Sequence, residues 1–289
     1  VSGAPAEGLL HWRGTGDGVA AWTTVDWCDV GAGALLAADS WRVVDGRVRG
    51  LDRHLARFSA AIRPHRPERE VRAFCEAVVA ALPREGDHFP RVELRARSIR
   101  SPFDGPGEPA TGLSLRLRPT PPTAEEVVVA TAPHDPRTRP LVKGPDLDAL
   151  QRLRTAVQPL GAGEAIIVDG DGVIVEGAYS GLVWWRPDGT LVEPSAARAR
   201  IASVTTALLL DAAAADGVRI EAADARPDDL DGCELWVLSA LHGLRVASSW
   251  VNGPSLVTEP GRAARGRAWL AAAERPLPPP FGTDLPRVT

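Results

Sequence analysis

The chain has 289 residues, 44% hydrophobic and 24% charged, with a formal net charge of -4. That length exceeds the usual single core and predicts two domains, with ample apolar material for a buried interior. With 33 basic residues dispersed among 37 acids, the electrostatic footprint of a nucleic-acid or anionic-membrane binder is excluded.

No run of residues has the length of a membrane span, and "VSGAPAEGLLHWRG" lacks the charged and apolar regions of a signal peptide. Cys28, Cys75 and Cys233 are odd in number and show neither metal-ligand nor redox spacing. They are expected to be reduced core residues of a cytoplasmic protein.

In chain order, "GLLHW" and "GVAAW" read as short strands, and "SWRVVDGRVRGL" as a hairpin turning at Asp45-Gly46. Two helical patterns follow. Leu51, Leu55, Phe58 and Ile62 share one face of the first, and Val71, Phe74, Val78 and Leu82 one face of the second. "FPRVELRARSIR" and "TGLSLRLRP" alternate with arginines on one side, so this half reads as α+β around an antiparallel sheet. A proline-studded crossing from Pro119 to Pro140, with one strand embedded, marks the junction between a smaller domain of residues 1–133 and a larger one of residues 134–289.

Beyond the junction, Asp146 or Asp148 is placed to cap a helix whose apolar side carries Leu147, Leu150, Leu153 and Val157. "EAIIVDGDGVIVEGAYSGLVWWRPDGTLVEP" contains Asp-Gly turns at Asp169 to Gly172 and at Asp188-Gly189, and reads as a three-strand meander. Glu176 lies in its middle run, on the side of Ile174 if alternation holds. A carboxylate in so apolar a strand is either at an edge facing water or buried against a cation, because unpaired burial is costly. "SVTTALLLDAAAADG" is a helix capped by Ser203 or Thr205 and stopped by Gly217. Strands in "CELWVLSALHGLRVASSW", a closing helix and a proline-rich tail complete the chain.

Lys143 is the only lysine among the 33 basic residues. A composition rich in Ala, Gly, Pro and Arg indicates a bias that converts lysine to arginine wherever positive charge suffices. Arginine stays protonated, whereas a desolvated lysine amine can lose its proton and condense with a carbonyl. Lys143 is therefore either a reactive amine or a leftover surface charge, and it stands just before a helix, where loops present functional side chains.

Lys143, Glu176 in "VIVEGAYSGLVWW", the Ser/Thr-rich helix start at Ser203 to Thr206, and "LSALHGLRV" follow one another in an order that resembles the class IV aminotransferases. These are fold type IV pyridoxal-phosphate enzymes, including branched-chain and D-amino-acid aminotransferases and 4-amino-4-deoxychorismate lyase. "DSWRVVDGRVRGLDRHLARF" is similar to the family's early segment, and "SALHGLRVASSWVNG" looks more like the lyase branch.

The resemblance implies two α/β domains, a homodimer and pyridoxal 5'-phosphate held by Lys143 as an imine, with the C-terminal domain binding the cofactor. Glu176 matches the carboxylate that keeps the pyridine nitrogen protonated, so that the ring can accept an electron pair. Val204 and Thr205 at a helix N-terminus, Ser239 and Ala240 at a strand end, and Arg57 match the phosphate contacts. Singly, each has a plain reading as cap, turn residue or solvated charge. Ser40, Arg95, Arg97, Tyr179 and His242 are candidates to border an amino substrate, with packing or surface charge as the alternative. No metal site is expected.

Four features depart from the family pattern. Gly181 follows Ser180 where Asn is common, Thr206 stands where Arg is frequent, and Asp148 does not match the aminotransferase tyrosine. The "GDG.FET" signature becomes "GAGALLAADS", with Asp39 and Ser40 in its last two places. The implied activity is that of aminodeoxychorismate lyase, with transamination as the alternative and a non-catalytic ligand-binding member as a third reading.

Overall fold

Alternating apolar residues build the first sheet in the computed structural model, which describes residues 7–16, 19–25, 32–97 and 111–279. The expectations at Cys28, at "SIR" after Arg97 and in the proline-rich tail beyond residue 279 lie outside the described residues. The first unit, residues 1–121 and 275–289, contains strands β1 (Gly8–Gly16), β2 (Val19–Val25), β3 (Ala32–Ser40), β4 (Val43–Val44) and β5 (Arg47–Arg49). Helices α1 (Leu51–Ile62) and α2 (Glu68–Ala81) follow, then β6 (Asp87–His88), β7 (Arg91–Arg97) and β8 (Thr111–Leu117).

Five of these strands form an antiparallel sheet in the order β2-β1-β8-β7-β3. Val92, Leu94, Leu113 and Leu115 are buried, and the intervening Arg91, Glu93, Arg95 and Arg97 point the other way, as strand alternation requires. The helices pack through Phe58 and Phe74, whose rings lie 6.0 Å apart, and Phe74 also meets Trp12 at 5.7 Å. In α1 the buried place expected for Leu55 is taken by His54, 3% exposed, because its ring bonds Asp39. The β4–β5 hairpin turns where expected, with positive φ at both Asp45 and Gly46.

The second unit, residues 122–274, starts within the crossing from Pro119 to Pro140, before the embedded strand. Its β9 (Glu126–Thr131) pairs in parallel with β10 (Glu164–Val168) and β16 (Gly243–Val251), which ties it to the larger sheet. The other elements are α3 (Leu147–Val157), β11 (Ile174–Gly177), β12 (Gly181–Trp185), β13 (Leu191–Pro194), α4 (Val204–Ala215), β14 (Ile220–Ala223), β15 (Glu234–Ser239) and α5 (Arg262–Ala272). The eight strands run in the order β11-β10-β9-β16-β15-β12-β13-β14. After α5, the short strand β17 (Glu274–Pro276) leads the chain back to a four-stranded sheet with β5, β4 and β6.

Both hairpins of the expected meander form, β10 with β11 and β12 with β13, but its middle run is not one strand. A tight turn, with Gly177 N–H donating to the Ser180 carbonyl at 2.8 Å, splits the middle run into β11 and β12. The two strands then pair with different neighbours, β10 and β15. One sheet face packs under α3 through Ala130, Ala165 and Ile167, and under α4 and α5 through Trp236, Leu238 and Val246. The opposite face carries Val129, Ile166, Trp184, Leu235 and Val237.

Helix α5 lies so close to the sheet that a Cβ on its Gly266 would sit 2.6 Å from Leu244 and 2.8 Å from the Trp236 ring. Glycine to alanine inside a helix ordinarily gains about 0.5–1 kcal/mol. Here Gly266→Ala is expected to lose about 1–3 kcal/mol by overpacking, read as a lower urea midpoint; an unchanged or higher midpoint would show that the contact yields.

Candidate active site

Lys143 stands half-buried in the irregular segment before α3. Asp146 occupies the N-cap position of α3 but makes no cap bond to it. Its carboxylate turns back to accept the Thr138 hydroxyl at 2.6 Å and the Arg139 N–H at 2.8 Å. Arg139 in turn accepts the Val142 N–H, and Gly144 that of Leu147, both at 3.0 Å. These bonds close a loop around the lysine, with Gly144 at a φ of 134°.

Glu176 faces this loop. A register shift between Ile167 and Val168 pairs Glu176 with Ile167, on the side of α3, while Ile174 packs on the opposite side. Strict alternation therefore fails at this bulge. Although β11 is an edge strand, Glu176 is only 7% exposed, and its carboxylate accepts Nη1–H of Arg137 at 2.7 Å. Burial pushes its carboxyl above the ordinary range, against the pull of Arg137, then of Lys143 and the Ile201 N–H. Arg137, the cation in contact with Glu176, is not singled out by the sequence. Its one sequence signal is a position six residues before the lysine and two after Asp135, which accepts its Nε and Nη2 groups at 2.8 and 2.7 Å.

The turn after Glu176 is fixed from below. Glu164, 1% exposed, accepts the Ser180 hydroxyl at 3.0 Å and pairs with the buried Arg245 at 3.2 Å. Tyr179, expected near the substrate, donates its hydroxyl to Gln151 at 2.9 Å and lies under the Arg154 guanidinium.

Beyond the turn, Gly181 abuts the N-terminus of α4. Ser203 is the cap, its hydroxyl oxygen accepting the Thr206 N–H at 3.2 Å. The N–H groups of Val204 and Thr205 belong to the first turn, which has no intrahelical acceptors. The Thr206 Oγ1 is buried without a hydrogen-bond partner among the described residues. Gly181 pairs with Leu238, which brings the end of β15 at Ser239 beside this helix start. Ser239 Oγ accepts the His242 N–H at 3.2 Å, and His242 Nδ1 accepts the Ala124 N–H at 3.2 Å.

In the first unit, Asp39 is 1% exposed and receives Arg57 twice at 2.8 Å and His54 at 2.9 Å. Burial would raise its carboxyl, but His54 and Arg57 outweigh it and hold the group well below the usual carboxylate range. The backbone N–H of Ser40 donates to the same carboxylate at 2.7 Å. Arg95 donates to Glu93 at 2.7 Å, and Arg97 lies half-buried opposite Ala32.

The family model for amino-transferase class IV matches residues 36–250. The chain belongs to the class IV aminotransferases. No curated protein sequence matches it. Among solved structures it is similar to CpuTA1, a fold IV-transaminase from Curtobacterium pusillum, at 20% identity and TM-score 0.74 over 92% of this chain and 99% of that one. It also matches the branched-chain amino acid aminotransferase of Escherichia coli at 16% identity and TM-score 0.71, covering 90% and 92% of the two chains. An aminotransferase from Brucella abortus, bound to the cofactor PLP, gives 17% identity and TM-score 0.71 over 91% and 98%. At these identities the shared property is the fold, which is that of the fold type IV transaminases.

Class IV aminotransferases are pyridoxal-phosphate enzymes, and the donor set of the second unit fits that cofactor. It offers an amine at Lys143, a buried carboxylate at Glu176, and a helix N-terminus with an unpartnered hydroxyl at Thr206. The departures also have a spatial reason. A Cβ at Gly181 would lie 2.3 Å from Thr206 Oγ1 and 3.1 Å from Ser203 Oγ, so a side chain there would require the Thr206 hydroxyl to move. Among the described residues no cluster of His, Cys, Asp and Glu is suited to a metal, and no helix is long and apolar enough to cross a membrane.

Asp39→Asn should destabilise the protein by about 3–5 kcal/mol at neutral pH, since it leaves the Arg57 guanidinium and the buried His54 ring short of their carboxylate partner. The folded carboxyl lies below its unfolded value near 3.8, so its contribution is present above about pH 4 and is lost as pH falls further. The gap between wild type and variant in urea titrations should accordingly narrow below about pH 4; a gap independent of pH would contradict the assignment.

Proposed function

We propose that this class IV family member binds pyridoxal phosphate in its second unit and acts as an aminodeoxychorismate lyase-like enzyme, forming 4-aminobenzoate and pyruvate. The observation that carries the cofactor assignment is the joint placement of the sole lysine and a buried glutamate, which Arg137, six residues before the lysine, contacts at 2.7 Å. Bound pyridoxal phosphate supplies an electron sink for the pair of electrons left on a substrate carbon.

Lys143 is the anchoring residue and the proton carrier. Its amine takes a proton from the substrate ring and returns it to the departing enolpyruvyl group, which leaves as pyruvate while the ring becomes aromatic. Glu176 holds a proton at the pyridine nitrogen. The N–H groups of Val204 and Thr205 and the end of β15 at Ser239 and Ala240 bind the phosphate, whose charge the helix dipole favours. The family's ionic phosphate contact is carried to Arg57, and its assembly as a homodimer to the chain.

The lyase reading is supported by Asp148, which is exposed on α3 where aminotransferases place a tyrosine. The second reading, transamination, is supported by the solved structures above, all named as transaminases. There Lys143 would move a proton from the amino acid carbon instead.

Purified protein should show visible absorption that borohydride bleaches, and Lys143→Ala should lose both the absorption and the turnover. Acid/base catalysis alone is worth about two to four decades in rate. Protein that stays colourless after incubation with pyridoxal phosphate would sink the assignment. Parallel assays with aminodeoxychorismate, and with an amino acid plus 2-oxoglutarate, separate the readings: 4-aminobenzoate supports the lyase, and a new amino acid with a new oxo acid overturns it.

A further inference from the structure

Outside the residues given roles so far, the second unit contains one side chain that touches a proposed cofactor contact and is itself held on every side. Arg137 has 5% of its side chain exposed. Its Nε and Nη2 groups donate to Asp135, and Nη1 donates both to Glu176 at 2.7 Å and to the Ala199 carbonyl at 2.9 Å. Four separate N–H contacts therefore leave the guanidinium little freedom to turn toward a substrate carboxylate. The planar fork makes that orientation specific in a way that an ammonium cannot reproduce.

We infer that Arg137, braced by Asp135, is a positioning residue that keeps the Glu176 carboxylate ionised and aimed, and thereby sets how strongly the cofactor's ring nitrogen is held in its protonated form. The inference rests on the pyridoxal-phosphate reading. Its physical basis is the cost of burying a carboxylate: without a cation in hydrogen-bond contact, a group at the position of Glu176 takes up a proton and can no longer stabilise one elsewhere. Burial favours the neutral form of Glu176, and the charges facing it are Arg137 and Lys143. Lys143 has a second task in the reaction. Arg137 has none, which leaves it free to supply a constant charge.

The placement also links the two reacting ends of the site. Arg137 and Lys143 belong to one loop, which Asp146 closes at Thr138 and Arg139. Glu176 is thus oriented by the same segment that presents the lysine, and a disturbance of that segment reaches both groups.

The test compares pyridoxal phosphate with its 1-deaza analogue, in which carbon replaces the ring nitrogen and no proton can be held there. Dissociation constants of both are measured by absorbance titration for wild type, Arg137→Met, Arg137→Lys and Asp135→Asn, alongside turnover. Charged hydrogen bonds of this kind correspond to about tenfold or more in affinity. Arg137→Met should therefore weaken pyridoxal phosphate about tenfold or more and leave the deaza analogue within about twofold, with Arg137→Lys recovering part of the loss.

In the background of Glu176→Gln, adding Arg137→Met should cost nothing further toward pyridoxal phosphate. Equal weakening toward both cofactors, or full additivity with Glu176→Gln, would show that Arg137 is only a structural brace and overturn the proposal. If Arg137→Met does not fold, Arg137→Lys and Asp135→Asn carry the same comparison. Failure of the underlying reading is distinct: wild-type protein would then show no borohydride-trapped cofactor on Lys143 by peptide mass mapping.

Discussion

A carboxylate cannot remain charged inside an apolar sheet without a cation against it, and much of the second unit is arranged around that requirement. Glu176 is carried on an edge strand, yet it is turned inward by a register shift and met by Arg137 at 2.7 Å. The pair is accommodated by the irregular chain before α3, which contributes Asp135 to brace the arginine and Asp146 to close the loop. A buried ion pair is weak support for stability, since apolar residues of the same volume would often serve as well. Its retention is better explained by what a fixed, ionised carboxylate can do next to a lysine.

The turn from Gly177 to Ser180 joins this arrangement to the N-terminus of α4. It places Glu176 on one side and Gly181 on the other, and Glu164 with Arg245 fixes it from within the sheet. Gly181 then touches the start of α4, whose amides and dipole suit an anion. A cofactor with a basic ring nitrogen at one end and a phosphate at the other needs two such sites at a fixed separation, and a short turn clamped by a buried carboxylate is a stiff way to set it.

Much of this was legible in the sequence where the signal is local. The hairpin at Asp45-Gly46, the Ser203 cap and the apolar faces of α1 and α2 follow from turn chemistry and helical period, and they appear as read, apart from His54 in place of Leu55. What could not be read depends on contacts between distant segments. His54 is buried because Asp39, fifteen residues earlier, needs a partner. The meander is interrupted because β12 pairs with β15, more than forty residues on, on the side where a continuous meander would put β11. Position alone offers Asp146 or Asp148 as the cap of α3, whereas the Asp146 carboxylate takes donors behind it, at Thr138 and Arg139. Arg137 was invisible because nothing local distinguishes it from the other arginines of the chain.

Two of the altered signatures have a structural counterpart in the fold. Gly181 and Thr206 depart from the family pattern at one contact, where the absence of a side chain at 181 leaves room for the Thr206 hydroxyl. At the altered early signature, Asp39 still presents a buried carboxylate to both His54 and Arg57, shorter by one methylene than the glutamate it replaces and fully engaged. A protein that only had to stay folded could have filled the same volumes with apolar side chains at lower cost.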